Sequence, residues 1–174
     1  MRLGRRNALL LGVIGVAAAA AGAVVGALFL QSRSGAAPLL SARFPDLAGR
    51  ERRLLDWQGH VLVVNFWATW CAPCREEMPM FAEARRAYAA KSVEFIGIGI
   101  DSPDKMREFS ITYGIEYPLL VADAGAIELM RNLGNRTGGL PYTVVLDRAG
   151  SVSHRQLGPL SRAELDRVLQ ALLR

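Results

Sequence analysis

The chain has 174 residues, two of them cysteine and two histidine, with a formal net charge of +5. That length holds one membrane segment and one ordinary domain with an adequate core, and no internal repeat is visible. Arg2, Arg5 and Arg6 account for three of the positive charges, and the one dense basic cluster, Arg50, Arg52 and Arg53, has no interleaved aromatics or nucleic-acid motif, so a solvated face is the reading and nucleic-acid binding is excluded.

Residues 1–7 form a basic arm, which the positive-inside rule keeps cytoplasmic. Residues 8–30 follow without a charged side chain. At about 1.5 Å of rise per residue such a run spans a hydrocarbon core of about 30 Å, so it reads as a transmembrane signal anchor that sends the rest of the chain to the periplasm. A removed secretory signal would have an apolar region of about 7 to 15 residues. Cleavage nevertheless stays open at Ala21-Gly22-Ala23 or Gly35-Ala36-Ala37, and Arg5-Arg6 is compatible with twin-arginine export. No cysteine follows the run, which excludes lipid attachment there, and the absence of a polar face argues against a buried core helix. Residues 31–42 read as a tether, and 43–174 as the folded domain.

Strand-like runs fall at Val61–Trp67, Val93–Ile100, Pro118–Ala122, Tyr142–Asp147 and Ser151–Leu157. Helical patterns lie between them at Pro73–Ala90, from Ser102-Pro103-Asp104 to about Tyr113, and at Ala124–Leu133. A last helix begins at the capping box Ser161-Arg162-Ala163-Glu164. The alternation predicts an α/β fold: a mixed sheet whose first three strands are parallel, closed by a hairpin through Asp147–Ser151 and flanked by helices on both faces. Ligands of such sheets sit at the carboxyl ends of central strands.

Trp70-Cys71-Ala72-Pro73-Cys74 occupies that position, directly after the first strand. Unpaired amides and the positive end of the dipole at a helix start favour a thiolate at Cys71, and Cys74 lies close enough to resolve whatever Cys71 attacks. Zinc would need four ligands, and His60 and His154 have no ligand spacing. A structural staple over so short a loop would stabilise little. A redox-active disulfide, with no other cofactor or metal, is the reading.

The stretch Phe66-Trp67-Ala68-Thr69-Trp70-Cys71-Ala72-Pro73-Cys74-Arg75-Glu76-Glu77-Met78-Pro79, with Asp56–Val61, Tyr117–Leu120 and Gly138-Gly139-Leu140-Pro141-Tyr142-Thr143, resembles TlpA- and ResA-like members of the thioredoxin superfamily. The resemblance implies a thioredoxin fold with a central strand–helix insertion at 93–113. It also implies a periplasmic thiol-disulfide oxidoreductase on the inner membrane, usually reducing. Its clients would be proteins with cysteine pairs, in cytochrome c maturation or copper-site assembly, and a membrane electron-donor thiol protein would reduce it.

Residue by residue, the resemblance makes Cys71 the nucleophile and Cys74 the resolving thiol, with Pro73 stiffening the first helical turn. Pro141 matches a cis-proline, with the backbone of Leu140 offered to an extended client segment. Asn65 stands where thioredoxins often carry a buried acid, and it cannot titrate. Glu77 matches the acid of ResA-like proteins and is read either as proton acceptor for the buried thiol or as an exposed helix glutamate. Trp70 shields the site, Trp67 packs in the core, and Glu116 sits in a solvated turn. Two rival functions remain. A peroxiredoxin-like peroxidase would carry a threonine three residues before Cys71, where this chain has Ala68, and a copper-binding assembly chaperone would pair a wider CxxxC with a distant histidine such as His154.

Overall fold

The computed structural model of the protein describes residues 35–174, together with Gly22 alone. The basic arm, the apolar run apart from Gly22, and residues 31–34 lie outside the described residues. Among the described residues no helix is long and apolar enough to cross a membrane.

Packed structure begins earlier than the sequence reading set it. Residues Ala37–Ser41, assigned above to a tether, form a short helix (α1) with a proline in its first turn, and Ala36 and Leu39 are fully buried. Two adjacent leucines among small residues give little periodic signal, yet burying Leu39 is worth about 1.5–3 kcal/mol, enough to dock a single turn. Next comes a hairpin absent from the sequence reading, β1 (Arg43–Pro45) paired antiparallel with β2 (Glu51–Arg53). Its strands are three residues each and mostly charged, too short for a period-2 pattern to register. The turn is held by Asp46 Oδ1, which accepts the N–H groups of Ala48 (2.9 Å) and Arg50 (3.0 Å). A 3-10 turn, Leu54–Trp57, leads into the main sheet.

That sheet contains β3 (Val61–Trp67), β4 (Val93–Gly99), β5 (Leu119–Val121), β6 (Tyr142–Leu146) and β7 (Val152–Leu157) in the order β5-β4-β3-β6-β7. Strands β3, β4 and β5 are parallel and β6 and β7 form an antiparallel hairpin, as the sequence predicted; β6 is also antiparallel to β3, a pairing the alternation did not predict. All seven residues of the central β3 are buried. The helices are α2 (Ala72–Tyr88), α3 (Pro103–Tyr113), α4 (Gly125–Asn132) and α5 (Arg162–Leu172).

Strand alternation sorts the core into two layers. Val61, Val63 and Trp67 join the buried faces of α2, α3 and α5, whereas Leu62, Val64 and Phe66 join α1, the 3-10 turn and α4. Asn65 belongs by parity to the first layer, in register with Thr143 of β6 and Gly97 of β4. The absence of a side chain at Gly97 is a packing requirement, because a Cβ there would stand 2.6 Å from Leu119 Cδ2 and 3.0 Å from Trp67 Nε1.

Candidate active site

The chain leaves β3 at Trp67, turns through Ala68–Trp70, and enters α2 with Cys71 as its N-cap. Cys71 Sγ accepts the Cys74 N–H at 3.4 Å, and the two cysteines are joined in a disulfide. A sulfur at this place meets the unpaired amides and positive dipole end of a 17-residue helix, which favours thiolate once the bond is reduced. The pair is not symmetric. Cys71 keeps 6% of its surface exposed and Cys74 none, so an incoming sulfur meets Cys71.

Beside Cys71 opens a groove of about 410 Å³ whose walls include Trp70, Pro73, Ile100, Ile127 and Leu140. Trp70 is exposed and forms one side of it, while Trp67 is fully buried and packs on Phe109 with ring centroids 5.0 Å apart. The Leu140–Pro141 peptide bond is cis. Pro141 C=O accepts the Gly158 N–H at 2.9 Å, whereas the N–H and C=O of Leu140 make no hydrogen bond among the described residues.

Asn135, which no sequence signal singled out, holds this wall. It is 2% exposed; its Oδ1 accepts from Gly138 N–H (3.0 Å) and the Thr137 hydroxyl (3.1 Å), and its Nδ2 donates to Gly139 C=O (2.8 Å). Gly138 needs to be glycine, since it takes φ +68° and a Cβ would stand 2.9 Å from Ile127 Cγ2. The Gly138-Gly139 pair was visible in sequence; its clamp and the groove walls Ile100 and Ile127 were not, because Ile100 follows β4, Ile127 lies in α4 and Asn135 in the loop after it.

Beneath the disulfide the structure brings Glu77 and Asn65 together. Glu77 lies one turn after Cys74, on the same side of α2, and is buried. Its Oε1 accepts from Asn65 Nδ2 at 2.8 Å and its Oε2 accepts the Leu160 N–H at 3.0 Å; Asn65 Nδ2 also donates to Thr143 Oγ1 at 3.0 Å. Burial pushes the Glu77 carboxyl up to about 7, against the two hydrogen bonds from Leu160 and Asn65 that favour the charged form. The reading of Glu77 as an exposed helix glutamate is thereby corrected. Glu76 is exposed.

The other candidate residues stand apart. The Thr69 hydroxyl donates to Asp101, whose carboxyl burial raises but whose bonds from Thr69 and Ser102 N–H, with Lys105 nearby, hold below the usual range. His154 pairs in register with Val145, which pairs with Val63, four residues down β3 from Trp67. That is roughly 13 Å along the sheet from its cysteine end. Its nearest charged partner is Glu164, at 4.0 Å. Glu116 is exposed and 3.9 Å from Arg86.

The family described as Redoxin matches residues 34–172. The chain is 30% identical over 128 residues to the thiol-disulfide oxidoreductase ResA of Geobacillus kaustophilus, covering 73% of this chain and 71% of that protein. It is 32% identical over 128 residues to ResA of Bacillus thuringiensis (strain Al Hakam), covering 73% and 72%. Among solved structures it is similar to the thiol:disulfide interchange protein, a thioredoxin family protein, from Chlorobium tepidum TLS, with TM-score 0.69, 29% identity, and 76% of this chain and 93% of that one covered. It is also similar to MTB dsbF, with TM-score 0.67, 26% identity, and 77% and 96% covered. The chain therefore belongs to the redoxin family, and within it to the ResA-like thiol-disulfide oxidoreductases of the thioredoxin superfamily.

Proposed function

We propose that this protein reduces disulfides of client proteins outside the cytoplasm, held to the inner membrane by residues 8–30 with residues 1–7 on the cytoplasmic side. The clients are proteins whose cysteine pairs must be kept reduced, in cytochrome c maturation or copper-site assembly, and a membrane thiol protein supplies the electrons. Disulfides persist in that compartment, so a reductant there depends on electrons brought across.

The Cys71 thiolate attacks one sulfur of a client disulfide; the client S–S bond breaks, a Cys71–client bond forms, and one client thiolate leaves. Cys74 then gives its proton to the Glu77 carboxylate, and its thiolate attacks Cys71 Sγ. The mixed disulfide breaks, the second client thiolate leaves, and the Cys71–Cys74 bond closes. Two electrons have passed to the client, whose thiolates take protons from solvent while Glu77 returns its own. An extended client segment lies along the groove, its backbone paired with the free N–H and C=O of Leu140 and its apolar side chains against Trp70, Ile100 and Ile127.

The observation that carries this reading is the asymmetry of the pair, with Cys71 at the groove and Cys74 buried above a carboxyl poised near neutrality. Against the peroxidase, residue 68 is alanine, and the Thr69 hydroxyl is engaged by Asp101 and not directed to Cys71. Against the copper chaperone, His154 stands down the sheet beside Glu164. The deciding experiment expresses the full chain as Cys74→Ser and separates the membrane fraction on non-reducing gels. Client adducts that vanish in Cys71→Ser are expected, and their absence in Cys74→Ser would count against disulfide exchange with proteins.

A further inference from the structure

Among the described residues, every group hydrogen-bonded to the Glu77 carboxylate is a donor: Asn65 Nδ2 at Oε1 and the Leu160 N–H at Oε2. The arrangement suits a charged glutamate. It leaves Asn65 Oδ1 buried with no partner among the described residues. An orphaned buried acceptor is unfavourable.

A protonated Glu77 brings a hydrogen of its own. On Oε2 that hydrogen would face the Leu160 N–H, a backbone donor that cannot turn. On Oε1 it would face Asn65, whose amide can. Rotation by a half-turn about its terminal bond puts the oxygen where the nitrogen was, in reach of both Glu77 Oε1 and Thr143 Oγ1. There it accepts from the carboxylic O–H and from the Thr143 hydroxyl, which is acceptor in one state and donor in the other.

We propose that Asn65 turns its side-chain amide over whenever Glu77 gains or loses a proton, so that the carboxyl keeps a matched partner in both charge states. Asn65 is thus a positioning residue that acts through Glu77, and the inference rests on the acid–base role of Glu77 given above. The coupled step balances: Cys74–SH and the Glu77 carboxylate become Cys74–S⁻ and the Glu77 carboxylic acid, and the amide reverses. When the acid returns its proton to solvent, the amide reverses again. The other titratable groups facing Glu77 are Cys74, on α2, and Tyr117, whose buried hydroxyl has no partner among the described residues and is pushed up by burial and then by the Glu77 charge. Among the described residues no Lys, Arg or His is ion-paired with Glu77. With no fixed cation to hold the charge, the response falls to the amide.

The test uses isotopically labelled, oxidised full-length protein in detergent micelles, followed by NMR from pH 5 to 9. The Asn65 side-chain amide signals are expected to titrate with the Glu77 carboxyl midpoint. Cross-peaks from Asn65 Hδ2 to the Glu77 γ-protons should be at least threefold stronger above that midpoint than below it. In Glu77→Gln the Asn65 signals should cease to titrate over this range. Asn65→Leu, which removes a donor to the charged form, should raise the Glu77 midpoint by about one unit, tenfold in proton affinity. Unchanged cross-peaks through a normal Glu77 titration would overturn the reversal and leave the acid–base role standing. A Glu77 carboxyl that does not titrate between pH 5 and 9 would overturn both.

Discussion

A single hydrogen bond, from the Leu160 N–H to Glu77 Oε2 at 3.0 Å, joins two residues 83 positions apart and ties the helix that carries the dithiol to the loop before the last helix. The carboxyl is held from both sides, by this loop and by Asn65 on the central strand, and is shut away from water beneath the disulfide. Its acid–base behaviour is therefore a property of the folded domain.

Glu77 makes stability depend on pH in a definite direction. Its carboxyl binds a proton more tightly in the folded chain, where burial pushes it up to about 7, than in the unfolded chain at 4.5. The folded state thus gains relative stability below 4.5, loses it as pH rises from there through 7, and carries the full cost above. The shift corresponds to roughly 3 kcal/mol. Denaturant unfolding of the oxidised protein and of Glu77→Gln should show the variant gaining on wild type by about that amount between pH 4.5 and 8.5. Parallel pH profiles would refute the assignment.

The same carboxyl should govern resolution of the mixed disulfide. With a preformed adduct at Cys71, the rate of Cys74 attack should rise through pH 7 as Glu77 becomes able to accept a proton. Glu77→Gln should slow it by about 100-fold and flatten the rise, within the usual range for general base catalysis. Stopped-flow decay of the adduct measures both; a variant that keeps wild-type rates across this range would show that solvent takes the proton directly.

Asn135 shapes the groove wall through Gly138 and Gly139. Asn135→Ala leaves the Gly138 N–H without its side-chain acceptor and the Gly139 C=O without its donor. The KM for a disulfide-bonded client peptide should rise about tenfold, equivalent to about 1.4 kcal/mol, with turnover of a small-molecule disulfide unchanged. Equal losses on both substrates would mean that the clamp serves the dithiol itself.

Leu39 distinguishes a packed segment from a tether. It is fully buried in α1, so Leu39→Ala should destabilise the protein by about 2–5 kcal/mol in urea. A tether residue would be silent.

Much of the scaffold was legible because the patterns that specify it are local. Val61–Trp67 is an uninterrupted apolar run, as a strand covered on both faces must be, and its bounds in the structure are those read from the sequence. The parallel pairing of the first three strands and the hairpin of the last two followed from alternation, since parallel neighbours need a crossover and antiparallel ones only a turn; the antiparallel pairing of β3 with β6 did not, because α4 separates β5 from β6. The segments that escaped, α1 and the β1–β2 hairpin, are too short to show a period and are kept in place by what they pack against.

The site divides along the same line. Spacing alone picked out the dithiol, because a CxxC at a strand-to-helix junction carries its chemistry within one turn. Nothing local could say whether Glu77 faces water or the core. A glutamate one turn after Cys74 fits either, and the choice was made by Asn65, 12 residues before it, and by Leu160, far beyond it. Burying a carboxyl is tolerable only where such partners converge, and convergence is a property of the assembled sheet and helices.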